Sequence, residues 1–317
     1  MRTIALLLVT ISILTVVMYK PAKIINSLEL VVLYFRSIGL KYTYPKYFHS
    51  DPASYQALPF NNILSGTEIG LDQSSDQKWI LNCSYQGESR STQILLLNKY
   101  DSNKPTLIYH HGAGSNTPLR EFNIVFGRPF IEKFNVFVVW AQYHTSKVEY
   151  LSKSVDSFLH HQETFAGSIL AYEEIVKFHR KNSKKQVVAT GSSMGGIVSS
   201  LHAFYFGSAN YYFPLVAYPN VGEISLGQEY KNAVYEWDTK RENKTYLSSF
   251  VINDFDESLT KKVFPVLGSF DRVVPYKKAS EFWQKGGFQI KTFPYGHFTP
   301  GIVSQDIRKY VLAITGI

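Results

Sequence analysis

The hexapeptide Gly191-Ser192-Ser193-Met194-Gly195-Gly196 constrains this chain more than any other stretch. An apolar run, Val187-Val188-Ala189, leads into it, and a helix-compatible stretch from Ile197 to Phe206 follows. Strand, sharp turn and helix with G-x-S-x-G at the turn give a nucleophile elbow. The central serine takes a strained backbone conformation there, and glycines two residues to either side let neighbouring backbones approach. The Ser193 hydroxyl is then held above a sheet edge, at the positive end of the following helix. Ser193 is the candidate nucleophile, and Ser192 points elsewhere.

The flanking sequence repeats the strand-then-helix rhythm. Apolar runs at Thr106–Tyr109, Asn135–Trp140, Tyr212–Tyr218, Val263–Gly268 and Phe288–Phe293 read as strands. Helical spacing marks 154–178, 277–284 and 302–314, and two earlier strands, Lys78–Tyr85 and Thr92–Leu97, read as antiparallel. Alternation of this kind predicts an α/β fold, a mostly parallel central sheet flanked by helices, with sites at the strands' carboxyl ends. The polar stretch 220–262 breaks the rhythm between two core strands and is too long for a connecting loop, so it reads as a lid insertion.

A serine hydroxyl needs a base within hydrogen-bond reach, and the base needs an orienting group. In this topology the chain order is serine, acid, histidine. Asp271 follows the strand ending at Gly268, and His297 follows the one ending Phe293-Pro294. Donors for a developing oxyanion are expected from the amide of Met194 and from Gly112 or Ala113 in the loop His110-His111-Gly112-Ala113-Gly114. The adjacent histidines lack helix spacing or a third convergent ligand, so no metal site is expected.

On these motifs, with Gly268-Ser269-Phe270-Asp271, Val274-Pro275 and Gly296-His297, the chain from about Lys78 to Ile314 resembles the α/β-hydrolase superfamily. The resemblance implies a Ser193 nucleophile, a His297 base, an Asp271 orienting acid, an acyl-enzyme intermediate and no cofactor. The loop after His111 lacks the consecutive glycines of the hormone-sensitive lipase branch. It suits the broader serine esterase, thioesterase and serine aminopeptidase-like group. Ester or thioester cleavage is the first expectation. Peptide or amide cleavage, acyl transfer to another acceptor, and a non-catalytic binding protein of the same fold stay open.

Three parts of the chain are therefore expected: 1–23 as a hydrophobic segment, 24–77 as a juxtamembrane helix and linker, and 78–317 as the catalytic domain. The run from Thr3 to Tyr19 carries no charge, with Arg2 before it and Lys20 and Lys23 after. Its length and the lack of an A-x-A cleavage pattern favour an uncleaved membrane anchor over a removed signal for export. The stretch Ile24–Phe48 is rich in rings and cations, and its very apolar helical portion, Ile24–Leu40, suits either a membrane interface or packing on the catalytic domain. Net charge is +8, yet the basic residues are scattered and no nucleic-acid module is legible. The one cysteine, Cys83, permits no intrachain disulfide. An aromatic-rich insertion and an anchor together point to a small-molecule or lipid-like acyl substrate, with medium-length chains preferred to acetyl.

Overall fold

A computed structural model describes residues 21–317, apart from 53, 251, 253 and 254. The expected anchor at Thr3–Tyr19 lies outside the described residues. Within them, no helix is long and apolar enough to cross a membrane.

The centre is a nine-stranded sheet in the order β1-β2-β3-β5-β4-β6-β7-β8-β9. Its strands are β1 (Glu68–Ser75), β2 (Lys78–Tyr85), β3 (Glu88–Leu96), β4 (Thr106–His110), β5 (Asn135–Trp140), β6 (Val187–Ser192), β7 (Tyr211–Leu215), β8 (Val266–Gly268) and β9 (Lys291–Phe293). The first three strands and the β3–β5 pair are antiparallel; everything from β5 to β9 is parallel. β4, β5 and β6 are almost wholly buried because helices cover both faces. Side chains alternate between two cores. Leu107, Tyr109, Val136, Val138 and Val188 face one cluster, with Phe122 and Val125 of α2 (Pro118–Val125) and Ile307 and Val311 of α6 (Ser304–Thr315). Ile108, Phe137, Val139, Val187 and Ala189 face the other, with α3 (Phe158–Asn182), α4 (Met194–Tyr205) and α5 (Tyr276–Lys285).

One boundary differs from the sequence reading. The sheet begins at Glu68, before the expected start at residue 78. β1 is an edge strand with all eight residues exposed, and its only apolar alternation is the pair Ile69 and Leu71, too short to mark a strand. Of the two placements open for the helix within 24–77, membrane interface or catalytic domain, one face takes the second. The helix α1 (Pro21–Lys41) lays Ile25, Glu29, Leu33 and Leu40 against the domain. Its other face leaves Leu28, Val31, Tyr34, Phe35 and Ile38 exposed.

The stretch expected as a linker is stitched to the insertion between β7 and β8, which carries short helices at Val221–Ser225, Trp237–Glu242 and Lys244–Ser248. Tyr47 bridges Val234 in parallel strand fashion. The fully buried Lys240 ammonium donates to the carbonyls of Phe48 (2.7 Å) and Asp51 (3.1 Å). Asp51 Oδ2 accepts from Tyr246 Oη at 2.7 Å and from the Phe158 amide at 2.8 Å, so it also starts α3. Phe60 stacks on Phe250 with centroids 4.4 Å apart.

Candidate active site

β6 ends at Ser192, and the chain reverses at Ser193 into α4. Ser193 sits at φ 55°, ψ −116°, a conformation rare for any residue with a Cβ. The flanking glycines are needed for contact rather than for flexibility. A Cβ on Gly195 would lie 2.0 Å from the His110 carbonyl oxygen, and one on Gly191 would lie 2.5 Å from the Gly195 carbonyl carbon. The Ser193 amide donates to the Leu215 carbonyl at 3.0 Å, tying the turn to β7.

Asp271 and His297 emerge just past β8 and β9 and converge on this serine. His297 Nε2 is 2.8 Å from Ser193 Oγ, and His297 Nδ1 is 2.9 Å from Asp271 Oδ2. With Nδ1–H donating to the carboxylate, Nε2 is the acceptor for the serine hydroxyl. Asp271 is fixed in turn: its Oδ1 accepts the amides of Val273 and Val274, each at 2.9 Å. The His297 and Asp271 side chains are only 7% and 3% exposed, so water competes little for these bonds.

The loop after β4 passes beside Ser193. His110 and His111 hold it from below. His110 Nδ1 donates to the His111 carbonyl (2.8 Å) and Nε2 lies 3.0 Å from Ser168 Oγ. His111 Nδ1 donates to the Gly112 carbonyl (2.7 Å), while Nε2 accepts the Ala141 amide (3.0 Å). Both rings are fully buried, and burial pushes His110 down to about 3 and His111 well below the ordinary range. They are neutral struts with all ring nitrogens engaged.

Of the two loop amides expected to meet an oxyanion, that of Gly112 is taken. It donates to Glu121 Oε2 of α2 at 2.9 Å. The Ala113 and Met194 amides are not so engaged among the described residues. Of the alternatives Gly112 and Ala113, the Gly112 amide is thus engaged in anchoring the loop, which leaves Ala113 as the candidate loop donor. Burial raises Glu121 above the ordinary carboxylate range.

Glu29 was not legible as a site residue. From α1 its carboxylate reaches the loop that carries the histidine: Oε1 accepts the His297 amide at 2.7 Å and Oε2 the Phe298 amide at 3.3 Å. It is fully buried, and burial raises its pKa. Gly296 makes room for it, since a Cβ there would lie 2.2 Å from Glu29 Cδ. The available signal is that Glu29 is the sole acidic residue of a largely apolar helix.

Two cavities meet at Ser193. One, of about 430 Å³, is lined by Gly112, Ala113, Glu121, Ile124, Ser193, His297, Phe298, Pro300 and Ile302. The other, of about 40 Å³, lies between Ser193, Ala113, Met194 and Ile197 and the rings and aliphatic groups of Phe48, Tyr150, Ile224 and Tyr230.

No family model matches the sequence. No curated protein matches it significantly either. Solved structures do match in shape. Acetyl xylan esterase 1 from a Thermoanaerobacterium species superposes with TM-score 0.51 at 17% identity, over 82% of this chain and 95% of that one. Est1E from Butyrivibrio proteoclasticus, with ferulic acid bound, gives TM-score 0.50 at 16% identity, over 73% and 98%. Likenesses at such identities establish a shared fold.

Proposed function

We propose that this chain, an α/β hydrolase by fold, is a serine hydrolase that cleaves a carboxylic ester through an acyl-enzyme intermediate. The observation that carries the reading is the unbroken line Asp271–His297–Ser193, with its 2.9 and 2.8 Å contacts, at the carboxyl ends of parallel strands. His297 Nε2 takes the Ser193 proton as Oγ attacks the carbonyl carbon. Asp271 keeps Nδ1–H in place and stabilises the imidazolium that forms. The amides of Met194 and Ala113 face the developing oxyanion. When the tetrahedral adduct collapses, the C–O bond to the alcohol breaks and the alkoxide leaves with the proton from Nε2. Water then repeats the sequence and frees the acid. Ester cleavage is what the printed names of the acetyl xylan esterase and Est1E indicate for those proteins, which supports the reading at the level of fold analogy.

The test is labelling with a fluorophosphonate probe. The native protein should label, and Ser193→Ala and His297→Ala should not, with far-ultraviolet dichroism unchanged. A folded native protein that neither labels nor hydrolyses any ester would end this reading.

We also propose that the chain is anchored to a membrane by Thr3–Tyr19. Support comes from the uncharged run itself and from the exposed apolar face of α1 that follows it. The chain should stay with membranes through alkaline carbonate extraction; release into the supernatant, or a mature start beyond residue 20, would replace the anchor with export.

A further inference from the structure

The two cavities at Ser193 differ about tenfold in volume, 430 against 40 Å³, and they differ in which site groups line them. His297 lines the large one alone, Met194 the small one alone, and Ser193 and Ala113 line both. That asymmetry assigns them chemically. The leaving alkoxide must receive its proton from His297 Nε2, so the alcohol half of an ester departs on the histidine side. The carbonyl oxygen turns to the Met194 and Ala113 amides, and the acyl tail has the remaining direction, into the small cavity.

We infer that the chain is selective for short acyl groups carried on a larger alcohol, a division that rests on the serine-hydrolase reading above. At roughly 10–15 Å³ of such volume per water-sized group, the small cavity holds about three heavy atoms and the large one some tens. Acetyl to butyryl tails fit; an octanoyl tail does not. Neighbouring packing keeps the small cavity small. Phe48 and Tyr150 are nearly fully buried, Ile197 and Ile224 are 5% and 7% exposed, and the lining includes a buried His161 held neutral. The insertion supplies Ile224 and is clamped by Lys240 and Tyr246, so this wall does not yield to a longer chain without breaking those bonds. The large cavity is different: Ile124, Phe298 and Ile302 on its rim are 47%, 41% and 54% exposed, so an alcohol of varied size lies half in solvent. The apolar bulk expected of a lipid-like substrate therefore belongs on the alcohol side, opposite to the medium-length acyl preference anticipated from the sequence.

The experiment is a 4-nitrophenyl ester series of two, four, six and eight acyl carbons below the micellar limit, read as kcat/KM, beside fluorophosphonate labelling. Expected is a drop of at least tenfold between butyrate and octanoate. Ile224→Ala should move the optimum by about two carbons toward longer chains. A second series, acetates of ethanol and of 2-naphthylethanol with matched leaving-group acidity, should favour the larger alcohol, and Ile302→Ala should reduce that preference. A native protein that labels yet prefers octanoate, or an Ile224→Ala profile unchanged in shape, overturns the partition and leaves the serine-hydrolase reading standing. Absence of both labelling and turnover overturns both.

Discussion

Glu29 holds the backbone of His297 and Phe298 without touching the serine, and a single residue there governs where the imidazole points. A charge-assisted hydrogen bond contributes about 1.5–3 kcal/mol, and a misplacement near 1 Å costs about a hundredfold in rate. Glu29→Ala should lower kcat by about ten- to a hundredfold with KM little changed. Glu29→Gln, which keeps one acceptor for the His297 amide, should recover part of the loss. Equal loss in both variants, or a loss confined to KM, would make the residue merely structural. Ser193, Asp271 and His297 were legible because chain order and flanking strands single them out. Glu29 was not, because its partner lies 268 positions away and a carboxylate in an apolar helix carries no local motif.

Among the elements, the parallel strands were readable for a physical reason: burial on both faces makes them continuous apolar runs. β1 escaped because both its faces meet water. Residues 42–66 escaped because their order comes from contacts with the insertion and with the start of α3 rather than from any period of their own. Asp51 is the hub of that contact, taking Tyr246 Oη, the Phe158 amide and, through its carbonyl, the Lys240 ammonium. Tyr246→Phe leaves a buried carboxylate oxygen short of one donor, a loss of about 1–3 kcal/mol. In thermal unfolding that should appear as a Tm lowered by roughly 2–10 °C, with fluorophosphonate labelling retained. An unchanged Tm would mean that the hub contributes little to holding the two segments together.

The molecule as a whole carries a pH signature. His110 and His161 are held at about 3 and His144 at about 4, against an ordinary 6.5, all by burial. Their folded values lie below the unfolded one, so the stability they lend is present above 6.5 and is lost as pH falls toward those folded values. At pH 5 each costs on the order of 2 kcal/mol. Glu29 and Glu121 are raised by burial and act with the opposite sign, lending stability that is present below 4.5 and lost as pH rises through their folded values. They oppose the histidine trend. Tm should therefore fall steadily from pH 7 to pH 5. A flat profile across that window would place the histidines in contact with water. The clamp between residues 42–66 and the insertion has a further, kinetic consequence. A roof riveted at Asp51, Lys240 and the Phe60–Phe250 stack is a wall and not a door. Turnover of a dissolved ester should start at full speed with no lag, and the rate should show no jump as the substrate passes its solubility limit.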